Sequence, residues 1–316
     1  MSIAQTGFTV AQPGILSLMQ DAGRFGQHAI GLTNGGPLDR LSFNWANRLC
    51  GNDDNACVIE VSFGGLNLQA DIDTQIAVTG GDAPLTINGK NAALWQTHSI
   101  KAGDKIAFGF SQAASRHYLA VKGGFHLTEM FGSCSTVVRE KLGGLNGAAL
   151  QAGDLLPCAS SETAQPLQLA EADRPNYSGA ITLRVVLGYQ QAAFSNIQKA
   201  RFFNSQFELS DKCDRMGFRL TGPEIQSGIS GMLSEGICYG AIQIPADGQP
   251  IVLLNDRQTI GGYPKIGAVL SLDIPKLTQR MPGTVIHFEA ISIDEAQRLI
   301  HLAHYRDQHT TLVPVH

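Results

Sequence analysis

Glycine cuts this chain into short pieces. Paired glycines stand at Gly35-Gly36, Gly64-Gly65, Gly80-Gly81, Gly123-Gly124, Gly143-Gly144 and Gly261-Gly262, and glycine reaches the positive φ of tight turns and bulges without steric cost. Between them run short β-branched or alternating stretches at 66–71, 74–78, 107–110, 116–121, 181–186, 241–244 and 251–254. That is the period-two pattern of strands. Helical spacing is rarer. It appears at 42–49 (Phe43, Ala46, Leu49) behind a capping Asp39, at 190–203 (Ala193, Phe194, Ile197, Ala200, Phe203), and at 293–305,. The expected fold class is mainly β with a few helices, arranged as two barrel-like or sandwich-like domains.

A length of 316 residues suits two domains,. The stretch 160–178, SSETAQPLQLAEADRPNYS, is poor in strand pattern and rich in small polar residues and proline. It separates an N-terminal domain expected at 1–165 from a C-terminal domain at 175–316. Charged residues are only 16% of the chain, against about 25% in an average protein. So few charges leave apolar surface committed to a partner, and the composition suggests a subunit.

With 23 Lys and Arg against 27 Asp and Glu, the net charge is −4 and no basic field exists for nucleic-acid phosphates. No apolar run approaches the roughly 18–20 residues of a membrane span, and the start MSIAQTGFTVAQPG lacks the pattern of a signal peptide,. A soluble, cytoplasmic protein is expected. Six cysteines (Cys50, Cys57, Cys134, Cys158, Cys213, Cys238) form no CxxC pair, so reduced thiols are expected.

Familiar motifs for chemistry are missing. There is no GxxxxGK[ST], no GxGxxG opening a helix, and no GxSxG; Gly132-Ser133-Cys134-Ser135 lacks the second glycine,. His301 and His304 share a helical face without an identifiable third ligand, so no metal site is expected,.

Two tracts instead carry more polar and glycine residues than strands and turns require. The first holds Arg24, Asn34, Asp39 and Asn47 within residues 21–52, a donor and acceptor set suited to a ligand cradle. A capped helix with Asx turns at Asn34 and Asp39 explains the same residues equally well. The second holds Arg215, Glu235, Asp256, Arg257, Gln258, Thr259, Tyr263 and Lys265. Its loop 256–265 directly follows an apolar strand, as a binding loop fed by a rigid element does. Glu235, Asp256 and Lys265 are the catalytic candidates: carboxylates for acid or base work, and a cation for charge developing on an oxygen. Arg24, Asn34, Asp39, Asn47, Arg215, Arg257, Gln258, Thr259 and Tyr263 are the substrate-binding candidates. A surface ion-pair cluster on a glycine-rich turn is the plainer alternative.

A resemblance runs through Pro13-Gly14, Gln20-Asp21-Ala-Gly-Arg24, Asn44-Trp-Ala-Asn-Arg-Leu49, Arg116-His-Tyr-Leu-Ala-Val-Lys-Gly-Gly124, Phe131-Gly-Ser-Cys-Ser-Thr136, Asp214-Arg-Met-Gly217 and Asp256-Arg-Gln-Thr259. In these the chain resembles a family of carboxyltransferase-like proteins known as allophanate hydrolase subunit 2, kinase-antagonist partner protein and the C subunit of 5-oxoprolinase. The resemblance implies two cyclophilin-like β-barrels, one in each half. It also implies a role as one of three subunits of an ATP-dependent 5-oxoprolinase, which opens 5-oxo-L-proline to L-glutamate while ATP becomes ADP and phosphate. A second implied role is biotin-dependent carboxyl transfer to urea or another amide, with biotin arriving on another protein. A third is a non-enzymatic partner of a sensor kinase. The implied partners are two other 5-oxoprolinase subunits and a small amide substrate, with a homo-oligomer also open. Three positions depart from the family pattern: Cys134 replaces an arginine, Ile260 a threonine and Thr284 an aspartate.

Overall fold

The structure is a computed structural model that describes residues 6–162, 164–229 and 232–315. Two compact units emerge. Met1–Gly26, Gly35–Tyr177 and Thr311–His316 form the first, and Gln27–Asn34 with Ser178–Thr310 form the second. The fold is mainly β, as the alternating runs require.

In the first unit the strands lie in two antiparallel sheets. One has six strands, ordered Leu155–Pro157, Gly7–Pro13, Leu66–Ala70, Lys105–Phe108, Leu85–Ile87 and Lys90–Ala92. The other has seven, ordered Leu16–Gln20, Val58–Ser62, Arg116–Val121, Thr74–Gly80, Gln96–Ile100, Leu167–Gln168 and Val313–Pro314. Phe8, Val10, Leu68 and Ile106 from the first sheet share one core with Met19, Ile59, Val61, Val78 and Leu119 from the second. The opposite face of the seven-stranded sheet offers Val58, Ala77, Tyr118 and Ala120 to Phe43, Ala46 and Leu49 of helix Arg40–Leu49. Covered on both faces, strands Val58–Ser62, Thr74–Gly80 and Arg116–Val121 are buried along their whole length. The helix begins at Asp39, whose carboxylate accepts from the Ser42 backbone N–H at 3.0 Å,.

In the second unit seven strands close into a barrel, ordered Ile181–Leu187, Lys265–Val269, Ala241–Gln243, Ile251–Leu253, Gly217–Thr221, Phe207–Cys213 and Val285–Ala290. The last strand returns to the first in parallel, and every other pair is antiparallel. Register fixes the two faces. Phe218 lies opposite Val252, which lies opposite Ile242, and all three are buried. Gly217, Arg219, Leu253, Ile251 and Gln243 alternate with them onto the other face, because side chains switch sides at every residue. Arg184, on the first barrel strand, ties the barrel to the segment that follows strand Lys265–Val269. Its guanidinium meets the fully buried Asp273 carboxylate at 2.8 and 2.6 Å, and Lys276 adds a contact at 2.9 Å. Burial opposes ionisation of Asp273, but these cations outweigh it and hold its pKa below the usual carboxylate range,.

Two expectations need correction. The single helix read across 190–203 is a 3₁₀ turn Tyr189–Ala193 followed by helix Asn196–Asn204. Ser195 breaks it, because its hydroxyl accepts from the Gln198 N–H at 3.3 Å and starts a new helix there,. Gly261-Gly262 is not a positive-φ turn like Gly64-Gly65. Gly261 pairs with Glu235 in a two-stranded ribbon of Glu235–Gly236 and Ile260–Gly261. The reason for glycine is a close approach: a Cβ there would stand 2.7 Å from Ile237 Cδ1 and 3.0 Å from Gln243 Nε2.

Candidate functional site

The barrel face that carries Gly217, Arg219, Gln243, Ile251 and Leu253 floors a cleft of about 520 Å³. Ile237, just beyond the ribbon, packs with Ala241, Ile251 and Leu253 and so anchors the ribbon to this face. Arg257, Gln258 and Tyr263 complete the wall, and the 211–214 segment contributes Asp211, Lys212 and Asp214. The loop 256–265 follows strand Ile251–Leu253 and lends three residues to this cleft.

Arg257 is 6% exposed. It donates from Nε to the Ile237 carbonyl at 3.1 Å and from its terminal nitrogens to the Leu254 carbonyl at 3.2 Å and Asn34 Oδ1 at 3.3 Å. Asn34 also bonds His28 Nε2 at 2.8 Å. Burial lowers the Arg257 pKa below its ordinary value, since desolvation penalises the charged form.

A second cluster stands on the neighbouring strand. Lys265 lies opposite Gln243 in register and forms an ion pair with Glu235 of the ribbon. Gln190 donates to the same carboxylate and accepts from the Lys265 backbone N–H at 2.7 Å. The Lys265 ammonium, and after it the Tyr189 hydroxyl, hold Glu235 below the usual carboxylate range. In return Glu235 raises the Tyr189 phenol. Tyr189, Gln190 and Gln243 escape the sequence analysis. Their one signal is Gly188-Tyr-Gln-Gln at the end of an apolar strand, which reads equally as a turn.

The other candidates divide sharply. Asp256 is closed off by Arg215 in a two-point ion pair at 2.9 and 3.1 Å, with both side chains 8% exposed. Thr259 accepts from the Ile237 N–H through its backbone carbonyl at 3.1 Å, while Gln258 and Tyr263 are exposed at the cleft. Arg24, Asp39 and Asn47 do not line it. Arg24, 1% exposed, holds the carbonyls of Met130, Ser133 and Ser135 at 3.0, 3.5 and 3.2 Å. Asp39 takes the Ser42 and Tyr177 hydroxyls, each at 2.6 Å. Asn47 joins the Ala56 carbonyl at 2.9 Å to Asn52 at 3.0 Å. Cys134, at the departure from the family pattern, is buried with its thiol against Cys57, and that neighbour together with burial pushes its pKa up. All six cysteines are free thiols, Cys50, Cys57, Cys134 and Cys158 buried.

A closed barrel, antiparallel except at its one parallel seam, with a polar cleft on one face and an ion pair beside it, defines the second unit as a β-barrel with a cleft of small-molecule size. Residues 30–290 match the carboxyltransferase domain family, subdomains A and B, and the chain belongs to that family. It is 35% identical over 283 residues to the 5-oxoprolinase C subunit of Haemophilus influenzae, covering 89% of this chain and 90% of the relative. The protein of the same name from Escherichia coli is 34% identical over 295 residues, covering 91% and 92%. The crystal structure of Kluyveromyces lactis urea amidolyase superposes with a TM-score of 0.90 at 28% identity. That match covers 97% of this chain and 20% of the amidolyase, so the chain corresponds to one portion of a much longer protein. Among the described residues no helix is long and apolar enough to cross a membrane.

Proposed function

We propose that this chain is one subunit of a cytoplasmic, ATP-dependent 5-oxoprolinase. With two others it hydrolyses 5-oxo-L-proline to L-glutamate while ATP becomes ADP and phosphate. The names and near-complete coverage of the Haemophilus and Escherichia relatives support this reading. The observation that carries it is the pairing of Lys265 and Glu235 beside a cleft walled by Arg257, Gln258 and Tyr263.

Amide resonance makes a lactam carbonyl a poor electrophile, so ring opening needs charge stabilisation at its oxygen and a base for the attacking water. Lys265 is the cation for that oxygen. Glu235, ionised at neutral pH as an ordinary carboxylate is and held lower still by Lys265,, is the base. Gln243 and Gln258 each offer an N–H donor and a carbonyl acceptor, the complement of a lactam's C=O and N–H. Asp256, held by Arg215, shapes the loop and takes no part in the chemistry.

The chain carries no GxxxxGK[ST] loop to cradle a triphosphate,, and the cleft sets the carboxylates of Asp211 and Asp214 beside its cations Lys212, Arg219 and Arg257. In this reading ATP enters on another subunit. The likeness to urea amidolyase favours a second reading, carboxyl transfer from biotin to urea or another amide, in which the same amide-lined cleft takes the acceptor and biotin arrives on another protein.

The test is glutamate release from 5-oxo-L-proline with ATP, using this chain alone and then with the two partner subunits. Activity confined to the full mixture is expected. Inactivity in every combination contradicts the proposal and moves the assignment to carboxyl transfer.

A further inference from the structure

We infer that Arg257 is a carboxylate anchor, so that the cleft selects a small lactam bearing an acid group over the same ring without one. The inference rests on the 5-oxoprolinase reading for the identity of the ring, and on the geometry alone for the acid.

Three other buried or partly buried cations of the second unit have an acid at hand: Arg184 has Asp273, Arg215 has Asp256, and Lys265 has Glu235. Arg257 does not. Its bonds go to two backbone carbonyls and one side-chain amide, all neutral, and no Asp or Glu among the described residues forms an ion pair with it. A neutral ring, Tyr239, lies 5.9 Å from its guanidinium. Leaving a buried charge without a counter-charge is costly, and such a group is stabilised when an anion arrives. The three bonds use three of a guanidinium's five N–H donors. The remaining two suit the fork-to-fork contact that arginine makes with a carboxylate. Arg257 also faces the cleft, beside Gln243, Gln258 and Tyr263. A ligand that places a carboxylate on Arg257 brings its ring within reach of those amides. Urea has no group for Arg257, so the anchor separates the two substrate classes considered above.

The experiment measures binding of 5-oxo-L-proline and of 2-pyrrolidinone, the same lactam without the acid, to the full chain by ligand-observed NMR and calorimetry. Wild type should bind 5-oxo-L-proline at least about tenfold tighter, the scale of a hydrogen-bonded charge. Arg257→Gln should bring the two lactams level, and Arg257→Lys should keep part of the preference. If Arg257→Gln fails to fold, as thermal unfolding would show, the wild-type comparison alone decides. Equal binding of the two lactams by wild type overturns the anchor. So does failure to bind either, because the cleft lies wholly within this chain. Acid-selective binding with no turnover in any mixture of subunits keeps the anchor and removes the 5-oxoprolinase reading. Turnover without acid selectivity does the reverse.

Discussion

His117 shows how a single side chain in the first unit is tuned by its surroundings. It is fully buried, with Nε2 2.5 Å from the Ser111 hydroxyl, and burial pushes its pKa down to about 4. An unfolded chain takes up that proton near pH 6.5. Between pH 6.5 and about 4 the unfolded state therefore binds more protons, and stability falls as pH falls. The slope is about 1.4 kcal/mol per pH unit, or about 3 kcal/mol across the window. Urea midpoints measured from pH 7 to 4.5 should drop more steeply for wild type than for His117→Gln; parallel curves would show that His117 is not responsible. The same scale shows how the fold uses three of the candidates from the first tract. Arg24, Asp39 and Asn47 have the chemistry of a ligand cradle, yet each spends its polar atoms on neighbouring backbone and hydroxyls. Residue type alone does not distinguish a ligand contact from a buried staple; the difference is burial, which depends on partners more than 80 positions away in the case of Arg24 and Met130.

At the level of elements, the strands were legible because alternation is a local signal. Residues 116–121 and 181–186 read as strands from their own side chains. The break at Ser195 was not, since the apolar spacing of Phe194, Ile197 and Phe203 runs straight through it and a capping hydroxyl weighs little in such a pattern. The ribbon of Glu235–Gly236 and Ile260–Gly261 was invisible for a related reason: two residues per strand carry no period. Its position depends on Gly261, where a Cβ would press on Ile237 and on the Gln243 amide. Gly261→Ala should shift the ribbon and weaken 5-oxo-L-proline binding about tenfold, while the unfolding free energy from urea titration changes by about 1 kcal/mol or less, since the added group meets the movable ends of side chains. Unchanged binding would show that the ribbon does not shape the cleft.

At the scale of the whole molecule, chain order and unit membership part company. Residues 27–34 belong to the second unit although both flanks belong to the first, and 311–316 return to the first. Composition marks no break at either place. The return is made by Val313–Pro314 pairing with Leu167–Gln168, a contact between positions about 145 apart that no local pattern encodes. The excursion of 27–34 supplies the Asn34 amide to Arg257. The second tract is recognisable from its sequence as a candidate because a polar loop follows a strand there; the partition of its charges into paired and unpaired groups requires the fold. The most direct test is glutamate release by the three-protein mixture containing either wild type or Lys265→Met. Turnover is expected to require this chain and to fall about 100-fold or more in the variant, with assembly intact by size-exclusion chromatography. Wild-type turnover by an assembled Lys265→Met complex would contradict it.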